Sequence, residues 1–253
     1  MSKNNLVQSI MRAIDIIELL SEQNKPLGVT KISEKLDMHK STVHRIINTL
    51  KYRGYVIKNS LDKYQLGYKI LGLSSDILDD IDVREKVRPY LKELVKLTNE
   101  TVHLGVLDRN KIIYIDKEET TKTIRMHSKI GGRIPLHCTS LGKVFLAFKD
   151  KNLVKQIPNK DLIQYTSNTI TEKAILKKNI DRVKKNGYAI DNEEHEEGIS
   201  CIAGPIFNHN EEIIAAFSIS GPTNRMTNKE IKKLIPVIKK YSKRISKSFG
   251  YNV

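Results

Sequence analysis

Apolar residues recur through the first fifty-odd positions at helical spacing. Between Leu6 and Glu22, Ile10, Ala13, Ile14, Ile17 and Leu20 follow i, i+3, i+4, i+7, which predicts an amphipathic helix. Asn24-Lys-Pro-Leu-Gly28 breaks it. A short second helix is expected next, capped by Thr30, with Ile32 and Leu36 one turn apart. Asp37-Met-His39 reads as a tight turn. A third helix is expected from about Lys40 to Lys51, with Val43, Ile46, Ile47 and Leu50 as its core stripe. Arg53-Gly54 ends it, with Gly54 as a left-handed cap. Tyr55 to Lys58 and Tyr64 to Leu66 flank Asn-Ser-Leu-Asp-Lys, the pattern of a small hairpin.

Beyond Leu66 the pattern first stays helical. Tyr68 to Asp82 reads as a linker helix and Val83 to Asn99 as another. After Thr101 the chain alternates. Val102 to Leu107, Lys111 to Ile115 and Thr123 to His127 read as strands, and Gly131-Gly132 as a hairpin turn before Arg133 to His137. Leu141 to Phe148 and Ile175 to Lys185 are expected helices. Gly198 to Ala203, Ile206-Phe207 and Ile213 to Ser220 are expected strands, before a closing helix from Asn228 to Phe249. The reading is α+β, with units at 1–67, 68–82 and 83–253. No internal repeat or low-complexity segment is visible.

Three short helices followed by a hairpin describe a winged helix-turn-helix. With its core stripe turned inward, the third helix presents Ser41, Arg45 and Asn48 on the opposite face, flanked by Lys40, Thr42 and His44. Arginine and asparagine suit base edges, and hydroxyls near a helix start suit phosphate. Lys58 and Lys63 fall in the wing, where flanking phosphates would lie. The plainer alternative is a solvated face on a helical bundle, with Ser41 as a helix cap.

Charge adds to this picture through its distribution. Lysine plus arginine is 44 against 29 acids, a net +15. From Met38 to Lys69 there are seven basic residues and one acid, Asp62. The segment Arg225 to Val253 is similarly basic, whereas Asp191 to Glu197 holds five acids in seven residues and reads as a solvated loop. The balance favours a polyanionic partner, while the lysine-rich profile suits an AT-rich genome equally well. With 39% apolar residues, wholesale disorder is excluded. No apolar run approaches a membrane span, and the polar start lacks a leader, so a cytoplasmic location is expected. Cys138 and Cys201, with no CxxC, exclude a disulfide scaffold and a zinc ribbon.

Candidate chemistry is confined to the second half. Alternation along 215–220 puts Ala216, Ser218 and Ser220 on one face. Ile199 and Cys201 share a face on the preceding strand. Ser140 stands at an expected helix start, where free N–H groups and the positive dipole end suit a carboxylate. Together these define a candidate pocket for an organic acid, or else small residues packing a sheet against a helix. Cys201 with His103, His137 or His195 is a possible nucleophile pair, and His103, His127, His137 and the cysteines are possible metal ligands. Neither set has the spacing of a known site, and no P-loop, GxSxG, HExxH or dinucleotide fingerprint occurs. No cofactor is expected.

These residues resemble the IclR family of bacterial transcription regulators over Leu6 to about Tyr251. Lys40-Ser-Thr-Val-His-Arg-Ile-Ile-Asn-Thr-Leu50 resembles its recognition helix. Ile130 to Lys143, Asp191 to Ile206 and Ser218-Ile-Ser-Gly-Pro222 resemble its effector-domain signatures. Within the family, Glu100 to Asp108 and Asp191 to Gly198 are most similar to the 2-keto-3-deoxygluconate repressor branch. The resemblance implies a winged helix-turn-helix, a linker helix and a GAF-like effector domain. It implies a homodimer or homotetramer binding double-stranded pseudopalindromic DNA, with a small organic acid, such as a sugar acid, as effector. Carried over by motif, the ligand pocket falls at Thr123, Met126, Ile134, Ser140, Leu141, Asp191, Ile199, Cys201, Ser218 and Ser220. Small-keto-acid members carry Gly-Ala where this chain has Ser140-Leu141, a departure that bears on pocket size and ligand. His103 and Arg125 are further candidates for polar contacts.

Overall fold

In the computed structural model the described residues are 6–23, 25–73, 82–124, 126–150 and 153–251. The chain divides into two compact units, Met1–Asp80 and Ile81–Val253.

The first unit is α1 (Gln8–Glu22), α2 (Val29–Leu36), α3 (Lys40–Tyr52) and a two-stranded wing, β1 (Val56–Lys58) and β2 (Tyr64–Leu66). Its core is Ile16, Leu19, Leu20, Ile32, Val43, Ile47, Leu50, Val56 and Tyr64. On α3 the expected stripe faces inward, with Ile46 half-buried. On α1 the inward face is rotated from the expected one. Ile16, Leu19 and Leu20 are buried, while Ile10 and Ile14 remain exposed together with Leu6, Val7 and Met11. The helix is apolar on more than one side, and periodicity alone could not say which side the core uses.

Two expected caps are also corrected. Gly28, not Thr30, precedes α2, and Thr30 lies inside its first turn. His39 precedes α3, so Ser41 is not its cap. Gly54 does close α3, at φ +78°, with Tyr55 N–H donating to Leu50 O and Gly54 N–H to Lys51 O. Leu27 bridges to Tyr64 and extends the wing by one residue pair.

The expected linker helix over 68–82 lies mostly outside the described residues. Within them, 69–73 is helical.

The second unit is a six-stranded antiparallel sheet in the order β5-β4-β3-β8-β7-β6. Its strands are β3 (Thr101–Asp108), β4 (Lys111–Glu118), β5 (Arg133–Pro135), β6 (Ala189–Asn192), β7 (Ile199–Phe207) and β8 (Ile213–Pro222). Helices α4 (Asp82–Thr98) and α8 (Asn228–Ser248) cover one face over Leu91, Leu104, Ile202, Phe217 and Ile238. Helices α5 (Ser140–Phe148), α6 (Leu153–Gln156) and α7 (Lys173–Asn186) cover the other over Leu141, Val144, Ile180, Ala203 and Ala216. The period-two reading of β8 therefore holds, since Phe217 and Ile219 point to the first core and Ala216 to the second.

The strand expected at Thr123 to His127 is absent at its described residues, 123, 124, 126 and 127. Gly131, at φ +82°, makes a turn that returns the chain to β4, where β5 pairs Pro135 with Lys111. The β7 run is continuous through Gly204-Pro205, and the short β6 takes in Asp191 and Asn192, the first two residues of the segment expected to be a solvated acidic loop. Among the described residues no helix is long and apolar enough to cross a membrane.

Candidate functional site

Two sets of polar side chains stand out, one on each unit. On α3, Lys40, Ser41, His44, Arg45 and Asn48 are exposed and Thr42 is half-buried. They share the face opposite Val43, Ile47 and Leu50, so burying that stripe is what presents them. Asn48 Nδ2 lies 3.2 Å from His44 Nδ1 one turn away. In the wing Lys63 is exposed. Lys58 is exposed too, but its ammonium lies 2.8 Å from Asp62, so part of its charge is already answered. The wing tip is pre-shaped, because Asn59 Oδ1 accepts from both Leu61 N–H and Lys63 N–H at 3.0 Å.

The second set lines a buried cavity on the α5 side of the sheet. Met126, Ile134, Ser140, Leu141, Asp191, Ile199, Cys201, Ser218 and Ser220 all line it. Thr123 does not. It is exposed, because its segment is not a strand whose alternate residues would point inward. Arg125 lies outside the described residues. Tyr114, Thr139, His195 and Glu196 complete the wall. Of these, Tyr114 was legible as the alternation partner of Ile112 on β4. The others depend on how the 139–141 and 193–196 turns fold back.

Chain geometry explains the arrangement. Thr139 caps α5, its Oγ1 accepting from Gly142 N–H at 3.1 Å and donating to Pro135 O at 2.7 Å. A Cβ on Gly142 would sit 2.3 Å from Leu136 O, so glycine there lets the helix start press against the preceding strand. The cavity opens at that start, beside the first-turn amides that have no intrahelical acceptor. Register does the rest. Cys201 pairs with both Asp191 and Ser220, bringing three strands' polar groups to one spot.

The cavity is electrostatically unusual. Asp191 is buried, and its carboxyl is pushed up to about 7 by that burial, with the Lys143 ammonium pulling the other way. Its Oδ1 accepts from Glu194 N–H at 2.8 Å. Lys143 is fully buried and pairs with Glu194 at 2.5 Å. Thr166 and Thr169 hold the Glu193 and Glu194 carbonyls at 2.6 Å. The acidic cluster is thus largely folded inward, and only Glu196, Glu197 and Asn192 within it are exposed. The cavity is also tight. About 10 Å³ is open to the centre of a water molecule, roughly what one water needs, so a ligand of several carbons must part its walls.

His103 is not on the wall but directly behind it. It is fully buried, and burial lowers its pKa to about 3. Nδ1 lies 3.3 Å from Ser220 Oγ and Nε2 2.8 Å from Ser128 Oγ.

Comparison with known proteins decides the assignment. The family description "Bacterial transcriptional regulator IclR C-terminal" matches residues 75–247, and "IclR helix-turn-helix domain" matches residues 9–60. The chain belongs to the IclR family of bacterial transcriptional regulators. Curated relatives include the HTH-type transcriptional regulator KdgR of Escherichia coli (strain K12), 38% identical over 97% of this chain and 94% of the relative. The transcriptional repressor IclR of the same organism is 32% identical over 96% and 90%. Among solved structures, the IclR of Thermotoga maritima superposes with a TM-score of 0.80 at 34% identity, covering 96% of this chain and 99% of that one.

As an IclR-family protein the chain is a DNA-binding transcriptional regulator, not an enzyme. The α+β fold expected from the sequence is the family's, with a helix-turn-helix unit and an effector domain. The chemistry of Cys201 agrees with this. Burial pushes its thiol well above the usual range, which leaves it protonated and a poor nucleophile. Of its imagined partners, His137 is committed to Ile163 O at 2.9 Å and His195 packs on the Tyr165 ring. The five candidate metal ligands are not gathered, since no group of three such residues is assembled among the described residues.

Proposed function

We propose that this regulator is a repressor of sugar-acid catabolism genes, held on a pseudopalindromic operator and released by a hydroxylated carboxylate of the 2-keto-3-deoxygluconate type. The observation that carries the reading is the convergence on one cavity of nine of the ten residues implied by family resemblance. The wall offers the hydroxyls of Tyr114, Thr139, Ser140, Ser218 and Ser220 with the Asp191 carboxyl. That lining suits a ligand rich in hydroxyl and carbonyl groups, with its carboxylate at the α5 start. The 38% identity to KdgR supports the same branch.

In this reading Lys40, Ser41, Thr42, His44, Arg45 and Asn48 meet the major groove, and Lys58 and Lys63 meet flanking phosphates. The protein acts as a homodimer or homotetramer. The apolar side of α1 that the core does not use, Leu6, Val7, Ile10, Met11 and Ile14, supports pairing through the first unit. Effector binding biases the heads through the chain joining the two units, and a coupling of ~1–3 kcal/mol suffices.

The test is a fluorescence-anisotropy titration on the DNA upstream of its own gene, at fixed salt, with and without 2-keto-3-deoxygluconate. The reading expects tight binding that the ligand releases. Tight binding that ignores the ligand removes this effector, and absence of sequence-specific binding removes this operator.

A further inference from the structure

The cavity wall that carries Met126 belongs to the stretch between β4 and β5, and its described residues are tied down at several points. Thr120 Oγ1 donates to Asn99 O at 2.7 Å. Arg225, held by Glu100 at 2.6 Å, donates to Ile124 O at 2.9 Å. Lys117 Nζ donates to Ser128 O at 2.6 Å. These ties lead to the β3 start, the β8–α8 connection and the end of β4. The fourth leads to the cavity, from Ser128 Oγ to His103 Nε2, then from His103 Nδ1 to Ser220 Oγ, which faces Ser218 Oγ at 3.4 Å.

The geometry points to His103 as a positioning residue for the effector response, linking the hydroxyl of Ser220 in the cavity to the segment that carries the Met126 wall. This rests on reading the cavity as the effector pocket. The ring packs against Tyr114, centroids 4.7 Å apart, so its plane is fixed. A neutral imidazole has one N–H and one lone pair. One of the two serines therefore donates to the ring and the other accepts from it. An effector group that engages Ser220 either strengthens its bond to His103 or competes with it, and the change is felt at Ser128 on the far side. Because the cavity is too tight for a ligand unless a wall gives, the Ser128 tether governs how readily that wall moves. Ser218 and Ser220 thereby gain a role beyond touching ligand, and His103 acts without touching it.

Hydrogen exchange of the full-length, ligand-free protein tests this without assuming any effector. Ser128→Ala and Ser220→Ala should each speed amide exchange over residues 126–131 by about fivefold, the worth of one ordinary hydrogen bond. The double variant should exchange no faster than either single one, because both break the same chain. His103→Gln, which keeps a donor and an acceptor, should retain part of the protection that His103→Leu loses. If Ser220→Ala leaves 126–131 at the wild-type rate, or the two serine effects multiply, the link is refuted. The serine pair decides even if His103→Leu does not fold. Failure of 2-keto-3-deoxygluconate to release operator DNA would leave this result standing and remove only the ligand.

Discussion

The α3 face and the effector cavity display their polar groups in opposite ways. On α3 the side chains proposed for DNA contact are mostly exposed, and the fold supports them only from behind, through Val43, Ile47 and Leu50. On the cavity wall Asp191, Ser140, Ser218 and Ser220 are buried, as is His103 behind it, and several bond to one another or to neighbouring backbone. Exposed groups can be altered with small effect on folding. Buried ones carry desolvation costs that only their partners offset. Binding and stability should therefore separate cleanly on α3 and be entangled in the cavity.

The largest expected break of this contrast is Gly142→Ala. The added methyl would overlap Leu136 backbone at 2.3 Å, so the cavity wall should be forced apart at a cost of about 3 kcal/mol or more. Thermal unfolding should show the second unit melting earlier while operator-site helicity in the first persists; an unshifted transition would mean the α5 start is not packed this closely.

Arg45→Ala is the opposite case. It should cost operator affinity ~1–3 kcal/mol and leave the melting temperature and ligand binding unchanged. Retained affinity in an anisotropy titration would move the reading surface off α3.

Asp191→Asn probes the entangled case through pH. The carboxyl is raised from 3.8 to about 7 in the folded state. Between those values the folded protein binds the extra proton, so stability falls as pH rises from about 4 to about 7 and stays lowered above. Asparagine keeps the acceptor for Glu194 N–H without the charge. It should gain ~1 kcal/mol or more at pH 8 and little at pH 4. Equal effects at both values, by denaturant titration, would mean that Asp191 is ordinarily ionised.

The smallest effect is expected in the wing. Lys63→Gln should weaken operator and unrelated DNA alike and lower the salt slope by about one. Lys58→Gln should do less, because Asp62 already shares that charge. The reverse ranking would place the phosphate contact at Lys58.

Much of the first unit was legible because it is local. The α3 stripe, the Gly54 cap and the wing hairpin all follow from spacing within a few residues. Besides the caps of α2 and α3, the reading of α1 failed, where two apolar faces competed and only packing chose Ile16 over Ile10. In the second unit the alternation of β8 was readable, and so were Ser218 and Ser220. The acidic cluster was not. Its spacing suggested a solvated loop, yet Glu194 is folded onto Lys143, fifty-one positions away. Nothing within one segment encodes that pairing.

By itself, then, the sequence determined the element types of the first unit, most of those of the second, the polar face of α3 and the family. Each depends on short-range periodicity or contiguous motif, which the chain carries in its order. Tertiary structure alone decided that Thr139, His195 and Glu196 join the cavity, that Thr123 does not, and that His103 stands behind Ser220. Those outcomes are set by strand register and by which backbone segments can approach closely, as at Gly142, and both arise only when distant parts of the chain compete for the same buried space.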